Sequence, residues 1–115
     1  MSVVTQLPTK QERIRQLNDR LRTTFQGGRV MKSSAVAGLP AEKQGELFRL
    51  VRDFNDFNPE NDPYQEHDFG AMSLDNTTWY FKIDYYDVDE RFGADDPSEG
   101  SRTKRVMTIM HCSEF

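Results

Sequence analysis

The stretch WYFKIDYYD, residues 79–87, restricts the possible folds of this chain more than any other part of the sequence. Its side chains alternate, which places four large residues on one side of the chain: Trp79, Phe81, Ile83 and Tyr85. A period of two is that of a β-strand, and a strand with only one apolar side is typical of an antiparallel sheet. The pattern therefore predicts a half-buried strand whose apolar face needs a second layer of protein.

Two segments with the apolar spacing of amphipathic helices would supply that layer. The first helix is predicted over residues 9–26, with Thr9 as its N-cap and Gly27-Gly28 as the left-handed end. The second is predicted to begin at Pro40 and to end near residue 57, because prolines follow and cannot continue a helix.

Shorter β-type runs predict three more strands, at residues 29–33, 67–74 and 105–111. Asp75-Asn76 is predicted to form the turn that separates the second of these from residues 79–87. Consecutive strands late in the chain predict an α+β fold, with two helices packed on one face of a small, mainly antiparallel sheet of three to four strands. We expect a single domain over residues 1–115, with a flexible tail at residues 1–8 and a long acidic loop at residues 88–104.

Charge is distributed unequally along the chain. Residues 1–52 contain ten Lys and Arg against four Asp and Glu, whereas residues 53–115 contain five against fifteen. A net charge of −4 disfavours direct binding to nucleic acid, which is itself a polyanion. The acidic half favours a basic protein partner instead, because carboxylates attract a cationic surface.

Tyrosines are interleaved with these acids, and tyrosine provides contact area at a small cost in conformational entropy. We therefore predict a protein-binding surface of acidic and aromatic residues: Tyr64, Glu66, Asp84, Tyr86, Asp87, Asp89, Glu90, Asp95 and Asp96. The expected partner is a basic protein surface, such as that of a nucleic-acid-binding protein or a nuclease complex. The alternative is a solvated acidic face that only improves solubility.

The stretch NPENDPYQEHDFG, residues 58–70, allows a different interpretation. Carboxylates and an imidazole could bind a divalent ion that assists hydrolysis, with four candidate ligands: Asp62, His67, Asp68 and Asp84. The structural alternative is a turn that stops the second helix, with His67 and Asp68 bonded to the loop backbone. Because the stretch has one histidine and no Ser or Cys of the chain lies in a nucleophile motif, we expect a non-catalytic protein without a cofactor.

The sequence also bears on location. No apolar run reaches the length of a membrane span, and the N-terminus does not have the pattern of a signal peptide. The single cysteine, Cys112, is compatible with a reducing compartment. A cytoplasmic protein without membrane contact is expected.

Four blocks of the sequence, GGRVM, VRDFNDFNPENDPYQEHDFG, KIDYYD and RVMTIM, together resemble a family of small bacterial proteins catalogued as a domain of unknown function. That family is common in alphaproteobacteria, on chromosomes, plasmids and other mobile elements. The resemblance covers roughly residues 10–115, and it departs from the family at Gln65, where Gly is more usual, and at Tyr80-Phe81, where a Trp precedes the Lys.

The resemblance implies one folded unit in a bacterial cytoplasm, and it implies no mechanism. Taken together with the acidic surface, the association with mobile elements suggests a mimic of nucleic acid. Such a protein would block the nucleic-acid channel of a defence nuclease or of a DNA-processing enzyme, as anti-CRISPR and anti-restriction proteins do.

Overall fold

The computed structural model describes residues 7–115, so the predicted tail at residues 1–8 lies mostly outside the described residues. The helices are α1 (Lys10–Thr24), α2 (Ser34–Ala37) and α3 (Ala41–Asp53). The strands are β1 (Arg29–Lys32), β2 (Phe69–Leu74), β3 (Thr77–Tyr86) and β4 (Lys104–His111). Two short 3-10 helices, Gly100–Arg102 and Cys112–Glu114, stand on either side of β4. None of the helices within residues 7–115 is long and apolar enough to cross a membrane.

The four strands form one sheet in the order β1-β4-β3-β2. β3 pairs antiparallel with both β2 and β4, while β1 pairs parallel with β4. The predicted α+β class and mainly antiparallel sheet are confirmed. The strand predicted at residues 29–33 is present as β1, but its parallel pairing was not predicted, and neither was α2. α2 is only four residues long, so the sequence shows no periodic apolar pattern that would predict it. It is capped by the Ser33 hydroxyl, which accepts from the Val36 N–H.

The core lies between the helices and one face of the sheet. Its largest fully buried side chains come from both layers: Phe81, Leu21, Leu47, Met107, Ile109, Val36 and Val51. The predicted inward face of β3 is confirmed, because Trp79, Phe81 and Ile83 are all buried. The other face of the sheet, on which the half-buried Lys82 and Asp84 lie, is the open face: no core helix of the described residues 7–115 covers it.

Gly70 lets the helical layer approach the sheet closely. A Cβ at this position would lie 2.4 Å from Cε1 of Phe81 and 2.7 Å from Cε1 of Phe54. Both distances are below van der Waals contact, so only glycine fits between the two rings.

α3 ends at Asp53, four residues before the predicted end, because a buried arginine forms hydrogen bonds to the carbonyl groups at this end. Nη1 of Arg22 donates to the carbonyl oxygens of Val51 at 3.2 Å, Arg52 at 3.2 Å and Phe54 at 2.8 Å. The Val51 carbonyl also accepts from the Phe54 N–H at 3.4 Å. Carbonyls of the last turn otherwise lack partners inside a helix, and the guanidinium supplies donors for them. The apolar spacing continued to residue 57 because Phe54 and Phe57 still pack edge-on against Phe81 outside the helix.

α1 ends in a left-handed residue, as predicted, but that residue is Phe25, with φ 59°, and not Gly27 or Gly28. A left-handed phenylalanine is strained, and its ring contacts offset the cost. The ring packs edge-on against Phe48 at 5.8 Å, and the Arg52 guanidinium lies 4.5 Å from its centroid.

β2 begins at Phe69, two residues later than predicted. Gln65 and His67 both have φ 56°, a left-handed conformation that a strand cannot contain. At the other end of β2, Asp75 and Asn76 are left-handed with φ 53° and 61° and form the predicted two-residue hairpin turn to β3.

Candidate functional site

α1 holds the polar loop that precedes β2 through a row of side chains. Gln11 donates to the carbonyl of Tyr64, Arg15 to that of Gln65 at 3.3 Å, and Asn18 to that of Glu66 at 3.0 Å. Residues spaced by four and three lie on one face of a helix, so the row follows the loop backbone residue by residue. This contact explains how the two left-handed residues of the loop are stabilised.

His67 is the next residue of this loop, and its ring is held on three sides. Nδ1 lies 2.9 Å and 3.1 Å from the two carboxylate oxygens of Asp19, and Nε2 lies 3.8 Å from Oδ2 of Asp62. The imidazole is stacked on the ring of Phe57, with centroids 3.7 Å apart and an interplanar angle of 2°. Asp19 also accepts from Arg22 at 2.8 Å, which ties the histidine to the cap of α3.

Asp62 organises the loop from inside. It is 4% exposed, and its Oδ1 accepts from the N–H groups of Glu66 at 2.9 Å and His67 at 3.1 Å. Beside it lies an open pocket of about 290 Å³, lined by Arg15, Phe57, Asn58, Pro59, Asp62, Pro63, Gln65 and His67.

The chemistry available in this pocket is proton transfer. If Nδ1 of His67 carries the proton donated to Asp19, Nε2 presents its lone pair and can act as a base. The described residues that line the pocket include no Ser, Thr, Cys or Lys, so none of them supplies a hydroxyl, thiol or amine nucleophile. A water molecule, the Asp62 carboxylate or the imidazole itself would have to serve as the nucleophile.

The four predicted metal ligands are not brought to one point. Asp62 and His67 lie in the pocket, but Asp84 is on the open face of the sheet, where it pairs with Lys82 at 2.9 Å. The pKa of the Asp68 carboxyl is raised by burial and by the neighbouring Glu66. Within residues 7–115, no group of three or more His, Cys, Asp and Glu is arranged to hold a metal ion.

A buried polar network, not anticipated from the sequence, adjoins the loop. The Tyr85 hydroxyl donates to Oε1 of Glu66 at 2.7 Å and accepts from Nδ2 of Asn18 at 2.7 Å. Nε of Arg105 donates to Oδ1 of Asn18 at 2.9 Å, and the guanidinium lies 5.2 Å from the Tyr85 ring centroid. Burial and the bond to Glu66 raise the pKa of Tyr85. Glu66, a predicted binding residue, is thus engaged inside this network.

A signal for the network was present in α1. Ile14, Asn18 and Arg22 recur at four-residue spacing and are all buried, so one face of the helix continues from an apolar to a polar residue. Polar residues on a buried helical face need partners. The partners themselves, in the loop and on β4, could not be identified from spacing alone.

Most of the remaining predicted binding residues lie in two grooves. The exceptions are Tyr64, which is 70% exposed in the polar loop, and Asp89, which is exposed and lines neither groove. Asp84, Tyr86 and Glu90 line a shallow groove on the open face of the sheet. Past the end of β3, a groove of about 640 Å³ is lined by Asp87, Val88, Asp95, Asp96, Glu99 and Arg102.

Two of these acids, Asp87 and Asp96, hold the turns of the segment that follows β3. Oδ1 of Asp87 accepts from the N–H groups of Asp89 and Arg91 at 3.1 Å each. Oδ1 of Asp96 accepts from the Ser98 hydroxyl at 2.6 Å, and its Oδ2 lies 3.3 Å from Nζ of Lys10. The hydrogen bonds from Ser98 lower the pKa of the Asp96 carboxyl most, and the nearby Lys10 ammonium lowers it further.

Other side chains of the same segment face solvent. Asp89 and Asp95 are exposed and form no ion pair within residues 7–115. Val88 is 54% exposed and Phe92 is 72% exposed. The segment therefore presents negative charge and apolar surface together.

Residues 33–114 match the model of a family described as Protein of unknown function (DUF3768). The chain belongs to this family. The resemblance to a domain of unknown function is thereby confirmed, and the DUF3768 description assigns no activity to its members. No curated protein and no solved structure matches the chain. In this DUF3768 member the matched range contains the loop of His67 and the acidic segment, while α1, which supplies Asn18, Asp19 and Arg22, lies before it.

Proposed function

We propose that this protein is a non-catalytic binding protein that uses its acidic loop, defined as residues 87–99, to bind a basic protein surface. The observation that carries the proposal is the composition and exposure of this loop. It contains six Asp and Glu against one Arg, and it exposes Val88 and Phe92 between the acids.

Charge and apolar surface have different roles in such an interface. Exposed carboxylates steer a cationic partner and raise the association rate, while an exposed aromatic ring supplies a contact that slows dissociation. Asp87 and Asp96 hold the turns that present both features, so the loop meets a partner with little loss of conformational freedom.

More specifically, the basic partner is a nucleic-acid-binding protein. Carboxylates spaced along an exposed loop imitate the phosphates that such a protein binds. The resembled family's association with mobile elements supports an accessory role, as an inhibitor of a host-defence or DNA-processing complex in the bacterial cytoplasm.

The test compares two variants that carry the same change in net charge. One neutralises the loop with Asp89→Asn, Asp95→Asn and Glu99→Gln, which leaves the turn-forming Asp87 and Asp96 intact. The matched control neutralises three exposed acids at the end of α3 and in the segment after it, with Asp53→Asn, Asp56→Asn and Glu60→Gln. The two variants and the unmodified chain serve as baits in a bacterial lysate, and captured proteins are identified by mass spectrometry.

The expected result is a basic nucleic-acid-binding protein that the unmodified chain and the control capture and the loop variant does not. With that protein purified, its association rate with the unmodified chain should fall as salt rises, because charge is screened beyond about 8 Å at physiological ionic strength. The captured protein should also release its nucleic acid when the chain binds. Equal capture by all three baits would contradict the proposal.

A second candidate function is hydrolysis at His67, assisted by a metal ion. The observation that favours it is the contact between Nδ1 of His67 and the Asp19 carboxylate at the wall of a pocket, which orients the ring for proton transfer. Its dependence on a divalent ion makes it separable from the first proposal by measurements of stability.

A further inference from the structure

Asp62 has one carboxylate oxygen that the fold does not use. Its Oδ1 accepts from two backbone N–H groups, whereas within residues 7–115 its Oδ2 accepts no hydrogen bond and lies 3.8 Å from Nε2 of His67. That distance is too long for a hydrogen bond. Asp62 is 4% exposed and lines the pocket of about 290 Å³ beside the loop. A buried carboxylate oxygen needs a donor, and the pocket is the side from which a ligand can supply it.

Nε2 of His67 is a second acceptor in the same pocket. The Asp19 carboxylate only accepts, so Nδ1 of His67, 2.9 Å from it, carries the ring proton, and Nε2 of the neutral ring presents its lone pair. Two acceptors 3.8 Å apart can both lie within hydrogen-bond distance, about 2.7–3.2 Å, of one nitrogen placed between them. A primary ammonium group has three N–H donors and a positive charge that matches the carboxylate, so it satisfies both acceptors at once.

Arg15 adds a positive charge to the pocket wall. Its Nη1 donates to the Gln65 carbonyl at 3.3 Å, and no carboxylate within residues 7–115 lies at salt-bridge distance from its guanidinium. A guanidinium has five N–H donors, so Arg15 keeps donors for the carboxylate of a ligand. A bare divalent cation would be repelled by this charge, whereas a ligand that carries both an ammonium and a carboxylate is attracted by Asp62 and by Arg15.

We infer that this pocket binds a free α-amino acid with an apolar side chain. The ammonium group donates to Oδ2 of Asp62 and Nε2 of His67, and the carboxylate accepts from Arg15. An apolar wall for the side chain is provided by three further lining residues: Phe57, Pro59 and Pro63. Ligand pockets usually measure about 300–1,000 Å³, so a pocket of about 290 Å³ suits a ligand of this small size. The site is separate from the acidic loop and does not rest on the proposed binding to a basic partner.

The first measurement is an NMR titration of the full chain with L-valine, L-leucine and L-phenylalanine up to about 10 mM, which covers the weak affinity of a small ligand. The ring signals of His67 and Phe57, which are stacked, should shift and so locate the binding in this pocket. Isoamylamine is L-leucine without its carboxylate, and isocaproate is L-leucine without its amino group. Each should bind at least about tenfold more weakly than L-leucine, because each loses a charged hydrogen-bonding group. Absence of shifts with all three amino acids overturns the inference, and so does an analogue that binds as tightly as L-leucine.

The second measurement repeats the L-leucine titration with variants of the two charged residues. Asp62→Asn keeps an oxygen for the two loop N–H groups and turns an amide donor toward His67, so affinity should fall at least about tenfold. Arg15→Met should lower the affinity for L-leucine by a similar factor and leave that for isoamylamine undiminished. Arg13→Met, an exposed position on α1, is the matched control and should bind like the unmodified chain.

The two variants keep the test valid if one of them does not fold, because Arg15→Met leaves Asp62 and its loop contacts intact. A folded Asp62→Asn chain that binds L-leucine as tightly as the unmodified chain overturns the inference. So does an Arg15→Met chain that binds L-leucine as tightly as Arg13→Met does.

Discussion

At the scale of single residues, Gly70 is the position where one added carbon conflicts most with the core. Gly70→Ala would press a methyl group against the rings of Phe81 and Phe54, at 2.4 Å and 2.7 Å. Neither ring can move freely, because Phe81 is fully buried and pairs with Phe54 at 5.4 Å. We expect a loss of about 1–3 kcal/mol in the free energy of unfolding, measured by urea titration.

Gly45 provides the matched control. It lies on an exposed face of α3, and a Cβ there would meet nothing within 4 Å. Gly45→Ala should therefore raise the stability by about 0.5–1 kcal/mol, because alanine favours a helix over glycine. If both alanine variants changed the stability alike, the close approach at Gly70 would not be a constraint.

Asp68 makes stability depend on pH in a defined direction. Burial and the charge of Glu66 raise the pKa of its carboxyl in the folded state, so the folded chain keeps this proton to a higher pH than the unfolded chain does. The stability that the protonated group contributes is complete below the unfolded pKa of about 4, and it is lost as pH rises through the folded pKa.

Asp68→Asn should consequently be more stable than the unmodified chain at pH 7, and this difference should shrink as pH falls toward 3–4. Unfolding titrations at several pH values would measure it. Asp89→Asn, in the exposed acidic loop, makes the same change of charge and should alter stability little, because exposed charges contribute little. A difference for Asp68→Asn that grew at low pH would contradict the assigned cause.

At the scale of secondary-structure elements, one arginine connects the end of α3 to α1. Arg22→Met should cost about 2–3 kcal/mol, since it removes charged hydrogen bonds to the carbonyls of Val51, Arg52 and Phe54. Hydrogen exchange should also show faster opening of the last turn of α3. Arg20→Met, an exposed position on the same helix, should change the stability by less than about 0.5 kcal/mol. Equal costs for both variants would refute the capping role.

The elements that the sequence predicted correctly are those with a strong local period. The alternation around Phe81 and the Asp75-Asn76 turn predicted β3 and its hairpin, and both are present. The errors occur where a distant residue decides the outcome. Arg22 ends α3 early, and the contact with α1 stabilises left-handed His67 where a strand was expected. Neither partner can be identified from the spacing of neighbouring residues.

The candidate site likewise has one part that the sequence predicts and another that it does not. The acids that line the two grooves are close in sequence, and their proximity follows from the chain itself. The environment of His67 depends on Asp19, which is 48 residues away in the sequence and lies on another element. Composition could identify a polar loop, but only the docking of α1 shows which carboxylate meets which nitrogen.

At the scale of the whole molecule, the charges are organised by the fold. The basic N-terminal half contributes cations that pair with carboxylates of the same chain, as the buried Arg22 does with Asp19 and the exposed Lys10 with Asp96. The acidic half keeps much of its charge at the surface, since Asp89 and Asp95 are exposed. These exposed carboxylates support the proposed binding of the loop to a basic partner.

The stability of the whole molecule also separates binding from metal-assisted hydrolysis. A divalent ion bound to the folded state alone would stabilise it by about 2.7 kcal/mol at a hundredfold excess over its dissociation constant. We expect no such shift with magnesium, manganese, calcium or zinc. The carboxylates near His67 already accept other donors: Asp19 is bonded to Arg22 and His67, and Oδ1 of Asp62 to two backbone N–H groups.

Thermal unfolding with each ion and with excess chelator would measure this, and His67→Ala combined with Asp68→Asn is the matched variant. An ion that stabilised the unmodified chain and not this variant would establish a metal site at the pocket. Hydrolysis would then become the leading function, because a bound metal ion would activate a water molecule beside the His67 base. An ion that stabilised both proteins equally would not depend on His67 and Asp68, and it would leave metal-assisted hydrolysis at this pocket without support.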